Sequence, residues 1–296
     1  MRRGADLSGF AGTMNTTNSQ PLNGIQPQPG RAVRGSRLDL AHHWAFFGSS
    51  ALLFFASAAL TIYRCNSMSG GMEMPGGWSL SMAWMRMPGQ SWFDAAFSFL
   101  GMWVVMMVAM MLPVLTPALL RYRLSTRGAR SGHLAALTML AGAAYVSIWA
   151  VIGAALYPIG AVVTQAIMAS EPLARSMPVA AGAVLLFVGY LQFTPWKARL
   201  LCRCRAAAAC EKTLSWDARS AWRFGIRLGG DCALCCSGLT AVLLVNGIMN
   251  VGTMALVTVA VAAERSGSHP QRVARTTGLI LIAAAAYTIG RYWSSY

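Results

Sequence analysis

The sequence predicts an all-α fold: a polytopic transmembrane helix bundle of about six spans, with a cytoplasmic interfacial helix between spans 4 and 5. Three observations carry this reading. Of 296 residues, 56% are hydrophobic and only 11% are charged, whereas a soluble domain carries roughly 25% charged residues. The apolar residues fall in runs of about the 20 residues needed to cross a hydrocarbon core ~30 Å thick. The basic residues lie between those runs, concentrated in alternate loops. That arrangement accounts for the net charge of +15, so the lipid bilayer is the expected partner and nucleic acid is not.

The elements follow in order. Residues 1–43, rich in Gln, Asn, Pro, Gly and Ser, read as a disordered cytoplasmic tail. They lack the basic start leading directly into an apolar core that marks a cleaved signal peptide. Residues 44–296 read as one transmembrane helical domain. Five spans are placed at about 44–64, 95–120, 134–157, 178–195 and 273–293. A sixth apolar stretch, from Cys232 to Ala263, is longer than one span needs. It would start below the surface, tilt, or break near Asn246-Gly247. Between spans 1 and 2 lies an outer Met-rich loop, 65–94, and between spans 4 and 5 an inner Cys/Arg-rich segment, 196–231. In that segment Leu214, Ala218, Trp222 and Ile226 recur every four residues beside Arg219, Arg223 and Arg227. This is the pattern of a helix lying among lipid headgroups, or of a short soluble helix packed on the bundle.

Charge then sets orientation. The tail holds five Lys or Arg, loop 121–133 four and segment 196–231 eight, against two, one and three in the alternate loops. The excess places both termini in the cytoplasm of a multi-pass protein of the bacterial inner membrane.

Two clusters carry chemistry. Seven cysteines occur: Cys65 alone, then Cys202, Cys204 and Cys210, then Cys232, Cys235 and Cys236. In a reducing compartment such thiols are metal ligands or redox groups more often than disulfides. Thiolates suit Cu(I) and Zn(II). On an ideal helix Cys232, Cys235 and Cys236 share a face, which continues through Asn246, Asn250 and Met254 towards Glu264 at the outer end. Such a polar stripe in a membrane lines a metal or proton path, or else fills a helix–helix seam. The second cluster is methionine. Met68, Met72, Met74, Met82, Met85 and Met87 crowd the outer loop, with Met72/Met74 and Met85/Met87 as Met-x-Met pairs. Thioethers bind Cu(I) without deprotonation, which suits an oxidising compartment. Met102, Met106, Met107, Met110 and Met111 in the next span read mainly as core filling. No Walker loop, GxSxG, HExxH or Rossmann fingerprint occurs, so no enzyme is expected.

The stretches MPGGWSLSMAWM (74–85), MWVVMMVAMMLP (102–113), YLQFTPWK (190–197), CALCCSGL (232–239) and NGIMN (246–250), with Glu264 beyond, resemble a bacterial family of integral membrane proteins. That family is of unknown function and is described as predicted metal-binding. The resemblance spans roughly 68–265 and implies a multi-span metal-binding membrane protein. It also implies two cysteines three and seven residues after Lys197. Cys204 stands at the second place, but Leu200 occupies the first and Cys202 is offset from it.

The resulting expectation is a membrane protein that handles a soft heavy metal, copper as Cu(I) with zinc as the alternative. Cys204, Cys232, Cys235, Cys236 and Cys202 would bind at the inner face, and Met72, Met74, Met85 and Met87 at the outer. A membrane or metallochaperone partner is implied. Two other readings remain: a scaffold or assembly factor for a metalloenzyme, and a thiol–disulfide redox protein using Cys232 and Cys235.

Overall fold

The computed structural model describes residues 29–67, 72–74, 78–86, 89–125, 131–207, 217–267 and 269–294. Helices dominate: α1 (Pro29–Ser67), α2 (Trp92–Ser125), α3 (Ser131–Ala169), α4 (Glu171–Leu191), α5 (Pro195–Ala207), α6 (Ala218–Val245), α7 (Val251–Ser266) and α8 (Pro270–Ser294). Phe46–Tyr296 pack as one unit, separate from Met1–Ala45. Within α1–α4, α6 and α8, six segments are long and apolar enough to cross a membrane. The first helix begins at Pro29, well ahead of the predicted span. Residues 1–28 of the expected tail lie outside the described residues.

Local chemistry explains the helix ends. At the start of α2 the Ser91 hydroxyl donates to Asp94 Oδ2 at 2.6 Å and accepts from the Asp94 amide at 3.2 Å, a reciprocal cap. Pro113 and Pro117 in α2, Pro158 in α3 and Pro178 in α4 sit inside helices, which neighbouring helices make tolerable. Between α1 and α2 the strands β1 (Met72–Met74) and β2 (Trp78–Leu80) form a small antiparallel hairpin with Met72 opposite Leu80 and Met74 opposite Trp78. The Trp78 indole donates to the Ala174 carbonyl at 2.9 Å, which seats the hairpin on the start of α4.

The core lies where α2, α3 and α6 meet. The Trp103 indole, fully buried, donates to the Trp149 carbonyl at 2.9 Å. Ala221, Gly225 and Gly229, four residues apart on α6, bring its backbone against α3: a Cβ on Gly225 would stand 2.2 Å from the Ala141 carbonyl oxygen. Small residues at this spacing let helices approach closely. This overturns the interfacial helix expected over 211–230. From Ala218 onward those residues are the first turns of α6, held by the glycine face on α3 and by Phe224 stacked on Tyr122 at 4.9 Å. The short helix between spans 4 and 5 is α5 instead; 208–216 lie outside the described residues.

The long apolar run 232–263 is broken, not tilted. Asn246 caps the end of α6, Gly247 takes φ +96°, and Asn250 caps α7 by accepting from the Thr253 amide at 3.0 Å. Only glycine adopts that backbone freely, so α7 turns back antiparallel to α6. Asn246 and Asn250 are exposed helix caps, not members of a buried stripe. Glu264 lies at the cysteine end of the bundle, not at the opposite end as the single-helix reading had it.

The returning helix also changes the path of the chain. One end of the bundle gathers Cys65, whose thiol meets Met249 of the α6–α7 turn at 3.9 Å, together with the hairpin. A cavity of about 710 Å³ there is lined by Trp78, Gly160, Asn246 and Thr288, so the far part of α8 is at this end too. The other end holds Phe46 under the Arg123 guanidinium and the α7–α8 link, where Arg205 donates to the Gly267 carbonyl at 3.0 Å. The domain therefore enters at one end and leaves at the other.

Candidate functional site

The site grows from one face of α6. Cys232, Cys235 and Cys236 project from it within about one helical turn, and all three are buried. The Cys232 and Cys236 sulfurs are 3.9 Å apart, and Met111 Sδ of α2 is 4.0 Å from Cys232 Sγ. Met111 was read from sequence as core filling. It is buried, and it also brings a thioether to the thiols.

Cys232 is surrounded by donors. The Tyr145 hydroxyl of α3 donates to its sulfur at 3.0 Å, and the Arg265 guanidinium of α7 at 2.9 Å. Cys204 of α5 is different. Its thiol donates to the Asp231 carbonyl at 2.7 Å. The neighbouring Cys235 sulfur, followed by burial, holds it well above the ordinary thiol range.

A buried ion pair closes the lower side. Lys197 Nζ is 2.9 Å from Glu264 Oε2 and donates to the Cys235 carbonyl at 2.9 Å. Gln192 Nε2 donates to Glu264 Oε1 at 3.0 Å. Burial alone would pull Lys197 down, but the Glu264 carboxylate and the Cys235 sulfur more than offset it and hold the ammonium above its usual range. On the opposite side, Met111 and Tyr145 line an apolar cavity of about 780 Å³ between α1, α2 and α3. Those two side chains are what separates Cys232 from it.

The sequence-predicted residues divide clearly. Cys204, Cys232, Cys235 and Cys236 come together with Glu264. Cys202 does not: it is exposed on α5 while Cys204 is buried. Two positions apart on a helix, their side chains point about 200° apart. At the hairpin end, Met74 and Met85 are half-buried and β1 carries Met72 at the alternate position to Met74. Met87 lies outside the described residues. Among the described residues no three His, Cys, Asp or Glu side chains stand together in a finished metal cage. Two of the three close sulfurs are cysteines, and the third is a methionine.

Sequence reasoning missed Tyr145, Arg265, Lys197, Met111 and Gln192 as site residues. Lys197 and Gln192 carried a signal, as polar groups inside the otherwise apolar YLQFTPWK stretch. Arg265 was counted among loop charges. Nothing local distinguishes Tyr145.

The sulfur spacing can be tested against a metal. Two sulfurs each about 2.3 Å from one thiophilic ion in tetrahedral geometry are slightly under ~4 Å apart. The 3.9 and 4.0 Å separations at Cys232 are each close to that spacing. A family model described as PpoB2, copper chaperone, matches residues 100–288, a range that contains every residue of this site. No curated protein and no solved structure matches the chain.

Proposed function

Because the chain belongs to the PpoB2 copper chaperone family, we propose that it is a membrane-embedded copper chaperone whose cargo is Cu(I). The observation that carries this is the three-sulfur group of Cys232, Cys236 and Met111, drawn from two helices and buried in the bundle. Sulfur ligands suit a soft monovalent ion and disfavour hard ions. Cys235 and Cys204, both buried, are the next thiols towards α5, whose exposed face carries Cys202. Copper passes along such a line by exchange of one sulfur ligand at a time, to a partner protein docking at this end. A thiol–disulfide role is disfavoured, since it needs accessible thiols and Cys232 and Cys235 are buried. The methionines of the outer loop, Met72, Met74, Met85 and Met87, would collect copper at the opposite end.

Metal analysis of the purified protein tests the reading. Wild type should carry about one copper per chain, and a variant with Cys232, Cys235 and Cys236 all changed to Ser should carry almost none. Equal, low copper in both would remove the proposal, and zinc in place of copper would change the cargo.

We place the thiol end in the cytoplasm of the bacterial inner membrane. With α7 returning, twelve of the described Lys and Arg from residue 46 onward fall at that end, and Arg64, Arg86, Arg175 and Arg291 at the other. This separation is sharper than the six-span count gave, because Arg265, Arg272 and Arg275 change sides. The last helix then ends outside. Cys202 should react with an impermeant maleimide only from the cytoplasmic side, and a Ser294→Cys variant only from the outside. Labelling of both from one side would refute this placement.

A further inference from the structure

We infer that the cavity between α1, α2 and α3 is a binding site for one anionic phospholipid of the leaflet at the thiol end. Its phosphate sits on Arg123 and one acyl chain runs inward along α2. The site stands apart from the copper reading and needs only that the bundle lie in a bilayer.

The walls set the chemistry. The cavity holds about 780 Å³, is lined mainly by aliphatic, aromatic and thioether side chains, and has no acidic side chain in its wall. The hydroxyls of Ser49, Thr116 and Thr138 there turn back on their own helices, donating to the Phe46, Leu112 and Leu134 carbonyls. Such a wall favours a hydrocarbon chain, which leaves no polar group unpaired. The size lies within the ~300–1,000 Å³ of ligand cavities, and interiors are packed too closely to leave such a volume empty. Leu52 of α1 and Met139 of α3 line the cavity yet are 72% and 74% exposed. It therefore opens sideways between these helices, where the tails of a bilayer lie.

One charge breaks the pattern and fixes which way the guest points. Arg123, in the last turn of α2, lines the cavity with its guanidinium 4.8 Å over the Phe46 ring. No carboxylate is paired with it among the described residues. A guanidinium takes a phosphate through a fork of parallel hydrogen bonds, and basic pockets between spans bind anionic headgroups. The depth agrees. Over the twelve residues from Met111 to Arg123, α2 rises about 18 Å, and one leaflet contributes about 15 Å of hydrocarbon. An acyl chain whose phosphate is held at Arg123 thus ends beside Met111 and Tyr145, the two side chains between the cavity and Cys232. The lipid lies behind the thiol site.

The test uses protein purified in detergent, washed free of loose lipid and offered phosphatidylglycerol and phosphatidylethanolamine in equal amounts. Bound lipid is identified by native mass spectrometry. Wild type should retain one phospholipid, with phosphatidylglycerol preferred. Arg123→Gln should lower that preference by about fivefold. Gly142→Leu should abolish retention of either lipid. Gly142 lines the cavity, and a Cβ there meets only Leu119 Cδ1, at 3.9 Å, so leucine takes the space of the acyl chain without pushing the helices apart. This variant keeps the inference testable if Arg123→Gln does not fold. Equal retention of the two lipids by wild type, an unchanged preference in Arg123→Gln, or lipid kept by Gly142→Leu overturns the inference and assigns the lipid to the general annulus. A wild type that retains none also overturns it, and leaves the cavity to a helix of a partner protein. Copper content of the same preparations bears on the chaperone proposal alone.

Discussion

Replacing Glu264 with Ala should unfold the protein at a temperature lower by roughly 10 °C or more, the largest stability loss expected from a single polar change. Glu264 is buried, contacts Lys197 Nζ at 2.9 Å and accepts from Gln192. Removing it leaves an ammonium in the bundle with no carboxylate beside it among the described residues, though it still donates to the Cys235 carbonyl. Breaking a buried pair in this way costs about 3–5 kcal/mol, because the surviving charge is uncompensated. Replacing both groups by apolar residues of similar volume is often neutral, so a Lys197→Met, Glu264→Met double variant should recover most of the loss. Thermal melts in detergent of the single and double variants check this. A single variant that melts with wild type would show that water or lipid headgroups reach Lys197 and that the pair is not dry.

The second large effect is steric. Gly225→Leu should abolish folding or copper retention, whereas Gly230→Leu on the same helix should be tolerated. A Cβ at 225 would stand 2.2 Å from the Ala141 carbonyl oxygen and 2.6 Å from the Ala144 Cβ; nothing lies within 4 Å of one at 230. Backbone atoms cannot swing aside as a side-chain end does, so α6 would have to leave α3. Overpacking typically costs about 1–3 kcal/mol, and a contact this close belongs at or beyond the upper end. Moving α6 also draws Cys232 from Tyr145, so copper should fall in whatever protein remains. Size-exclusion profiles and copper content of the two variants, side by side, separate a packing failure from a general intolerance of leucine.

What could be read from sequence follows from what the solvent demands. A hydrocarbon core forces long apolar helices, so the spanning segments of α1–α4, α6 and α8 were legible from hydropathy alone. The common face of Cys232, Cys235 and Cys236 was legible too, because helical periodicity fixes it. The return of α7 was not. The run from Cys232 to Ala263 is apolar throughout, and hydropathy is blind to direction. Only Asn246-Gly247 hinted at a break, and a turn of one glycine is as compatible with a kink as with a reversal. The same blindness misplaced Glu264 and turned Arg265 into a loop charge. Cys202 was grouped with Cys204 by closeness in sequence, although two residues on a helix face opposite ways. Tyr145 and Met111 reach Cys232 across 87 and 121 residues of chain, a relation that no local pattern encodes.

The fold-back of α7 also sets a schedule for biosynthesis. As the ribosome delivers the chain, Met111 and Tyr145 enter the bilayer early and the thiols of α6 follow. The counter-charges Glu264 and Arg265 arrive only once α7 has been made and has turned at Gly247. Until then Lys197 lacks its carboxylate and Cys232 its guanidinium, so a nascent chain displays thiols without the groups that tune them. Copper that meets such an intermediate meets an unfinished receptor. On the copper reading proposed above, loading would follow only once α7 has been made and has turned.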